Sequence, residues 1–294
     1  MGEKAALRPG EPVGPALTAI AHDMIAEGRA ALANDGGNAS AVHDYRKAMK
    51  GWRAFLRLIE PFLGPEHRWL RVHARDLARQ LAGARDAQAA LDALADLEKA
   101  EPTLSKTSFA TMRGRIEEAK RAAEMMLTPE LREQLLSAFM SATYAVDTWA
   151  LQTISFHDVA GELARHYGRA RRALPAEWAQ TTGEELHELR HRVVEHRYQM
   201  ELVEPLWPRM GKLWVAEAQR LRERLGSHQD LVVLAELTGP HQPLAPWRSR
   251  LAPPIDQRKA VHAAAAQRLA HRIFAERPKA FRRRLEALWN TRDG

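Results

Sequence analysis

His43, Arg46, Lys50, Arg53 and Arg57 follow one another along the chain at steps of three and four. At about 100° per residue, those steps place all five in one narrow stripe of a helix, with Lys47 on its border. No acidic residue interrupts the stripe. Like charges at i,i+4 repel by a few tenths of a kcal/mol, so a helix built for stability alone would alternate Glu with Arg there. Arginine presents a planar fork that takes two oxygens of a phosphate or carboxylate at once, whereas lysine acts as a point charge. The stripe is therefore read as a surface prepared for an external polyanion. The plainer reading is a solvated face, or one paired with carboxylates of a neighbouring helix.

The stretch occurs twice. Residues 42–63 match residues 186–207, aligning His43 with His187, Arg46 with Arg190, Arg53 with Arg197 and Glu60-Pro61 with Glu204-Pro205. The register continues without a gap through Leu77/Leu221 and Leu81/Leu225 to Asp86/Asp230. A duplication that keeps His, Arg and Asp in step repeats a surface as well as a core. The match is imperfect: Lys50 becomes Val194 and Arg57 becomes Glu201. The second copy, which also carries His191, is thus expected to bind more weakly. A further basic row, Arg68, Arg71, Arg75 and Arg79, follows the first copy.

Two pairs within the repeat have alternative roles. His43 and His187 are read in the first turns of their helices, where the positive end of the dipole disfavours an imidazolium. A neutral imidazole donating to a phosphate or carboxylate suits the place, as does a His that satisfies a cap or a neighbour. Asp86 and Asp230 each precede an apolar helical run. They read as N-caps, contributing about 1 kcal/mol, or as acidic clamps that orient an arginine.

The elements that must position these groups are helices. Apolar residues recur at helical spacing nearly everywhere, and no segment alternates like a strand. Helices are expected near 15–33, 41–60, 65–82, 86–99, 105–126, 129–152, 156–173, 183–204, 209–225 and 229–237, with a long one within 254–290. Thr128-Pro129 reads as an N-cap followed by proline at the first helical position, and Thr182 with Glu185 has capping-box spacing. The proline-rich stretch from Gly239 to Pro254 reads as an irregular connection. On the first basic helix, Val42, Tyr45, Met49, Trp52, Phe55, Leu56, Ile59 and Phe62 share the opposite arc, which is its core side. The expected fold class is all-α. One domain over residues 12–290 is built from helical bundles at 12–152 and 153–290, related by a pseudo-two-fold axis with a basic groove or pore between them.

Composition agrees with an anion binder. The formal charge is +7, and of 44 basic residues nine are Lys, leaving thirty-five Arg. There is no cysteine, which excludes disulfides and thiolate metal sites. No apolar run approaches the roughly 20 residues that span a bilayer, and the first residues lack the apolar core of a signal peptide. The expectation is a soluble, cytoplasmic protein with no membrane partner and no cofactor.

The His-x-x-Arg entry, the basic helix ending in Glu-Pro and the later Arg-Asp or Gln-Asp step resemble the CHAD family, the conserved histidine alpha-helical domain. Both copies are present: His43-x-x-Arg46 with Arg85-Asp86, and His187-x-x-Arg190 with Gln229-Asp230. The resemblance runs from about residue 12 to residue 290. It implies two bundles around a basic groove or pore, and non-catalytic binding of inorganic polyphosphate. It also implies association with polyphosphate granules and their proteins. Carried onto this chain, the binding set is His43, Arg46, Lys47, Lys50, Arg53, Arg57, Arg75, Arg79, His187, Arg190, His191 and Arg197. Val194, Glu201 and Gln229 depart from the pattern and argue against strict symmetry.

Three rival readings stand beside this one. A nucleic-acid binder would use the same charge, but should show base-reading side chains or exposed aromatics. A metal-dependent phosphohydrolase could use His22-Asp23, His43-Asp44 and His157-Asp158, each pair needing further ligands from other helices. A purely structural helical scaffold would leave the matched arginines unexplained.

Overall fold

A computed structural model describes residues 5–33, 37–79, 83–100, 105–125 and 127–291. Within them the chain forms eleven α-helices and no strand. The first six are α1 (Val13–Ala33), α2 (Asn38–Ile59), α3 (Arg68–Arg79), α4 (Gly83–Ala100), α5 (Lys106–Glu124) and α6 (Pro129–Asp147). The rest are α7 (Phe156–Arg172), α8 (Gly183–Leu202), α9 (Pro208–Glu236), α10 (Arg248–Ile273) and α11 (Pro278–Asn290). The expected all-α class is observed.

Helices start where side chains can take up the free N–H groups of a first turn. Ser105 accepts from the Ser108 N–H ahead of α5, and Thr128 from the Leu131 N–H ahead of α6. Reciprocal capping boxes, Ser155 with Asp158 and Thr182 with Glu185, open α7 and α8. Gly37 precedes α2 at φ 89°, a left-handed backbone that a side chain would strain.

Three elements differ from the sequence reading. First, α9 runs unbroken through the expected gap before residue 229, so Asp230 lies inside a helix and cannot be its N-cap. Gly226 and His228 are buried there, and packing overrides the weak helix propensity of Gly-Ser-His. Second, α4 begins at Gly83, which puts Asp86 in its first turn and not at its cap. A carboxylate still suits that turn, since the helix dipole favours it. Third, α10 starts at Arg248 and carries Pro253 and Pro254 inside it, while the long helix expected within 254–290 is split into α10 and α11. The prolines forfeit backbone hydrogen bonds, but their neighbours Leu251 and Ile255 are fully buried and anchor the turn. Leu81 and the chain between Arg79 and Gly83 lie outside the described residues.

Apolar side chains bury in two clusters. The larger gathers α1, α2, α3, α6, α7, α8 and α11, with Leu221 and Leu225 of α9 and Ala266 and Ala270 of α10. The smaller joins Leu94 and Leu97 of α4 and Met112 and Ile116 of α5 to Leu231 and Leu234 of α9 and Leu251 and Ile255 of α10. Helices from both sides of residue 152 fill each cluster.

One polar link stitches the smaller cluster. Asp96 of α4 accepts from Arg258 Nε and Nη2 at 2.6 and 2.7 Å, and faces His262 Nε2 at 2.9 Å. His262 is buried, so losing the carboxylate strands a polar ring and a guanidinium together. Burial alone would raise the Asp96 pKa, but the hydrogen bonds from Arg258 and His262 outweigh it and hold it below the usual carboxylate range. Its contribution is therefore present above the unfolded carboxylate pKa and is lost as pH falls through the folded one. Asp96→Ala should lower stability by about 2 kcal/mol in urea denaturation at pH 7. The deficit relative to wild type should shrink toward pH 3, and an unchanged midpoint at pH 7 would show that the link contributes nothing.

Candidate anion-binding cleft

Helix α2 shows the two faces expected of it. Val42, Tyr45, Met49, Trp52, Phe55, Leu56 and Ile59 are buried in the larger cluster. The basic side does not face open solvent along its length, however. Helix α8 packs on α2: Tyr198 donates to the Lys47 carbonyl at 3.3 Å, and Gln199 Nε2 to the Ala54 carbonyl at 3.4 Å. Arg46, Lys50, Arg53 and Arg57 are consequently half-buried, while His43 and Lys47 stay exposed on the rim.

A cleft of about 530 Å³ opens between α2, α4, α8 and α9. Arg46 and Lys50 line it from α2, Arg85 from α4, Arg197 from α8 and Arg222 from α9. Asp92 and Asp230 are the carboxylates in its wall. Arg190 of α8 sits within the field of the same group.

The electrostatics show how crowded these cations are. Burial first, then repulsion from Arg222, Arg190, Arg46 and Arg85, pushes the Lys50 ammonium down to about 7. Burial, followed by Arg85, Arg222 and Arg46, lowers the Arg190 guanidinium to about 10 against the pull of Asp230. Arg46 is lowered by burial and by Arg85. Asp230 is pushed up to about 6 by burial, with Arg190 and Arg85 opposing. Lys50 makes no hydrogen bond or ion pair among the described residues, and neither Arg190 Nε nor Arg85 Nη2 finds a hydrogen-bond partner. Packing thus holds together donors that have no acceptor within the protein.

The field continues past the cleft. Arg53 is lowered by burial and by Arg57, Arg79 and Arg75, with Glu195 opposing. His187 and His191 face each other through Nε2 atoms at 2.9 Å, which requires at least one neutral ring. Burial and its neighbours His187, Arg190, Arg53 and Arg57 push His191 down to about 4, and burial and Arg190 lower His187. The neutral state expected for His187 is thus supported, for a different reason. It lies in the second turn of α8, and burial with Arg190 sets the state in place of the helix dipole.

Several expected contacts are already engaged. Arg57 is paired with Glu195 at 2.8 Å, and Arg197 with Glu201 at 2.7 Å while stacking on Tyr198 at 4.4 Å. Arg75 and Arg79, on α3, both face Asp76 at 2.9 and 3.8 Å. They are exposed and reach the other cations only through Arg53. Arg222 escaped the sequence reading. It has no repeat partner, since Ala78 stands at the matching position. The available signal was its step of four to Gly226 and of eight to Asp230 along one face.

A family model described as the CHAD domain matches residues 16–239. The chain belongs to the CHAD family. Two solved structures share the fold at 18% identity and a TM-score of 0.56 each. One is the CHAD domain from the plant Ricinus communis, covering 98% of this chain and 97% of that one. The other is PptA from Streptomyces chartreusis, covering 96% and 100%. No curated protein matches the chain. No helix among the described residues of this CHAD chain is long and apolar enough to cross a membrane.

The crowded ammonium gives a stability test. A cation whose folded pKa lies below its unfolded value destabilises the fold fully below the folded pKa, and the penalty disappears as pH rises toward the unfolded one. For Lys50 that window runs from about 7 to the ordinary lysine value of 10.5. Lys50→Met should therefore stabilise the ligand-free protein at pH 6, on the order of 1 kcal/mol or more. The gain should fade by pH 10. Equal gains at both pH values in urea melts would contradict a crowded, buried cation.

Proposed function

We propose that this CHAD protein binds inorganic polyphosphate without catalysing its turnover. The observation that carries the reading is the convergence of Arg46, Lys50, Arg85 and Arg222 on one cleft, with Arg190 buried within their field and Asp92 and Asp230 as the carboxylates in the wall. Polyphosphate has no bases to stack or read, so affinity must come from charge neutralisation and release of condensed counterions. The charged lining of the cleft is mostly cationic: its aromatic wall is Tyr198, whose face Arg197 covers, and its two amides, Gln88 and Gln219, already donate to Asp92 and Glu223. A nucleic-acid reader would need open stacking platforms or free base-reading amides there. Association with polyphosphate granules, and with proteins found on them, would follow from the same affinity.

The two copies of the His-x-x-Arg motif approach the cleft from α2 and α8, bringing Arg46 and Arg190 into one field. That supports descent from a duplicated unit whose halves, 12–152 and 153–290, share a basic groove about a pseudo-two-fold axis. Two of the three His-Asp pairs that suggested hydrolysis are committed elsewhere. His22 faces Asp147 at 3.1 Å, Asp23 accepts the Ala5 N–H, His157 pairs with Glu286 and Asp158 caps α7. A binding role is the simpler account of these contacts.

Arg46→Ala combined with Arg53→Ala should weaken polyphosphate binding roughly tenfold near 0.1 M salt. It should also make the slope of log K against log salt shallower by about one and a half, since each of the two lost contacts accounts for about 0.7–0.9 of that slope. An unchanged slope would remove these residues from the contact set. DNA at equal phosphate concentration should compete poorly, and no phosphate should be released with added Mn or Mg; the opposite results would favour the rival readings.

A bound polyanion also restores charge to Lys50. Binding near pH 8 should therefore take up protons, and affinity should rise as pH falls from 8 to 6. Titration calorimetry in buffers of different ionisation heat measures the uptake directly. No uptake in wild type, or the same uptake in Lys50→Met, would place Lys50 outside the binding event.

A further inference from the structure

A second set of arginines lies on the far side of α9. Arg222 faces the cleft, and Arg220 and Arg224 each stand two residues from it, about 200° around the helix. There they meet Arg268 and Arg272 of α10 across a groove of about 320 Å³. Both pairs are spaced i,i+4 on helices that pack together. Ala265 leaves room at the groove's wall, where a larger side chain would fill it.

The charge in this groove is not balanced. Glu217 is paired with Arg220 at 2.8 Å, and the Glu223 carboxylate accepts from Gln219 at 2.6 Å. Arg224, Arg268 and Arg272 form no hydrogen bond, ion pair or ring contact among the described residues. Three exposed guanidiniums on two packed helices repel one another without an ion pair of their own; Glu223, held by the neutral Gln219 amide, and Glu217, paired with Arg220, are the two carboxylates set against four arginines in the groove. Ala265 and Leu269 are the apolar residues in a wall otherwise made of arginines and glutamates, so charge sets which ligand the groove suits. Arginine forks at this density match closely spaced phosphate oxygens.

We infer that the α9/α10 groove is a second anion site, separate from the central cleft, that takes a short run of linked phosphates. The inference does not require the cleft to bind polyphosphate. Two such sites on opposite faces of one helix would let a single protein hold two phosphate chains, or two segments of one chain.

Tripolyphosphate, titrated calorimetrically at low salt, tests this. Wild type should bind two equivalents. The triple variant R224Q/R268Q/R272Q should bind one, with its thermal midpoint near that of wild type. The single variant A265E keeps all the arginines and supplies an internal carboxylate, and it should weaken the same equivalent at least tenfold. The cleft variant R46A/R53A should retain groove binding. If R46A/R53A behaves as wild type while R224Q/R268Q/R272Q loses an equivalent, the cleft assignment fails and the groove stands. If R224Q/R268Q/R272Q and A265E both keep wild-type stoichiometry and affinity, the groove is a solvated surface and the inference is overturned.

Discussion

The packing of α2 against α8, with α4 and α9 closing over them, forces like charges together. Arg46, Lys50, Arg85, Arg190 and Arg222 would separate if they could, and the lowered pKa values of Arg46, Lys50 and Arg190 record that tension. What prevents separation is the apolar face of the same helix. Tyr45, Met49, Trp52 and Phe55 are almost wholly buried, and each such side chain contributes about 1.5–3 kcal/mol. That burial exceeds the electrostatic penalty, so the cations remain clustered in the absence of ligand. On the proposed reading, a polyanion would meet a site already ordered, and little of its binding energy would be spent on arranging side chains.

Carboxylates are distributed in a way that separates a committed rim from an uncommitted centre. Glu195, Glu201 and Asp76 hold Arg57, Arg197, Arg75 and Arg79 in ion pairs that are at least partly exposed. The exposed pairs with Asp76 contribute about 1 kcal/mol or less, whereas Glu195 is largely buried, and breaking its pair with Arg57 would strand a buried charge. Lys50 and Arg190 lie deeper, with Asp230 as a nearby acid, itself pushed toward its neutral form by burial. On the proposed reading, the centre would offer the greater gain on neutralisation.

Local signals in the sequence were reliable and long-range ones were not. Thr128-Pro129 and Thr182 with Glu185 cap their helices as their spacing implies, because a cap involves only neighbours in the chain. The two faces of α2 were legible from the 3.6-residue period for the same reason. Asp230 misled because Gly226-Ser227-His228 has the composition of a break, and only the burial of Gly226 and His228 keeps α9 helical. Pro253 and Pro254 misled similarly, since Leu251 and Ile255 hold them in α10. The half-burial of the basic stripe, the Arg57–Glu195 pair and the role of Arg222 all depend on which helices become neighbours. For His187 the lowered pKa has the direction expected, but its causes are burial and then Arg190 across one helical turn, neither of which a helix wheel alone reveals.

The continuity of α9 is what joins these features into one molecule. Its 29 residues span about 44 Å at 1.5 Å each. Leu221 and Leu225 enter the larger apolar cluster, and Leu231 and Leu234 the smaller. Between them, Gly226 packs beside Arg190, where an added Cβ would already meet Nε at 3.8 Å. That distance is ordinary van der Waals contact, so alanine fits there as well. The stretch whose composition suggested a break is the place where the helix passes beside Arg190. The apolar residues on either side supply the stability that the glycine forgoes.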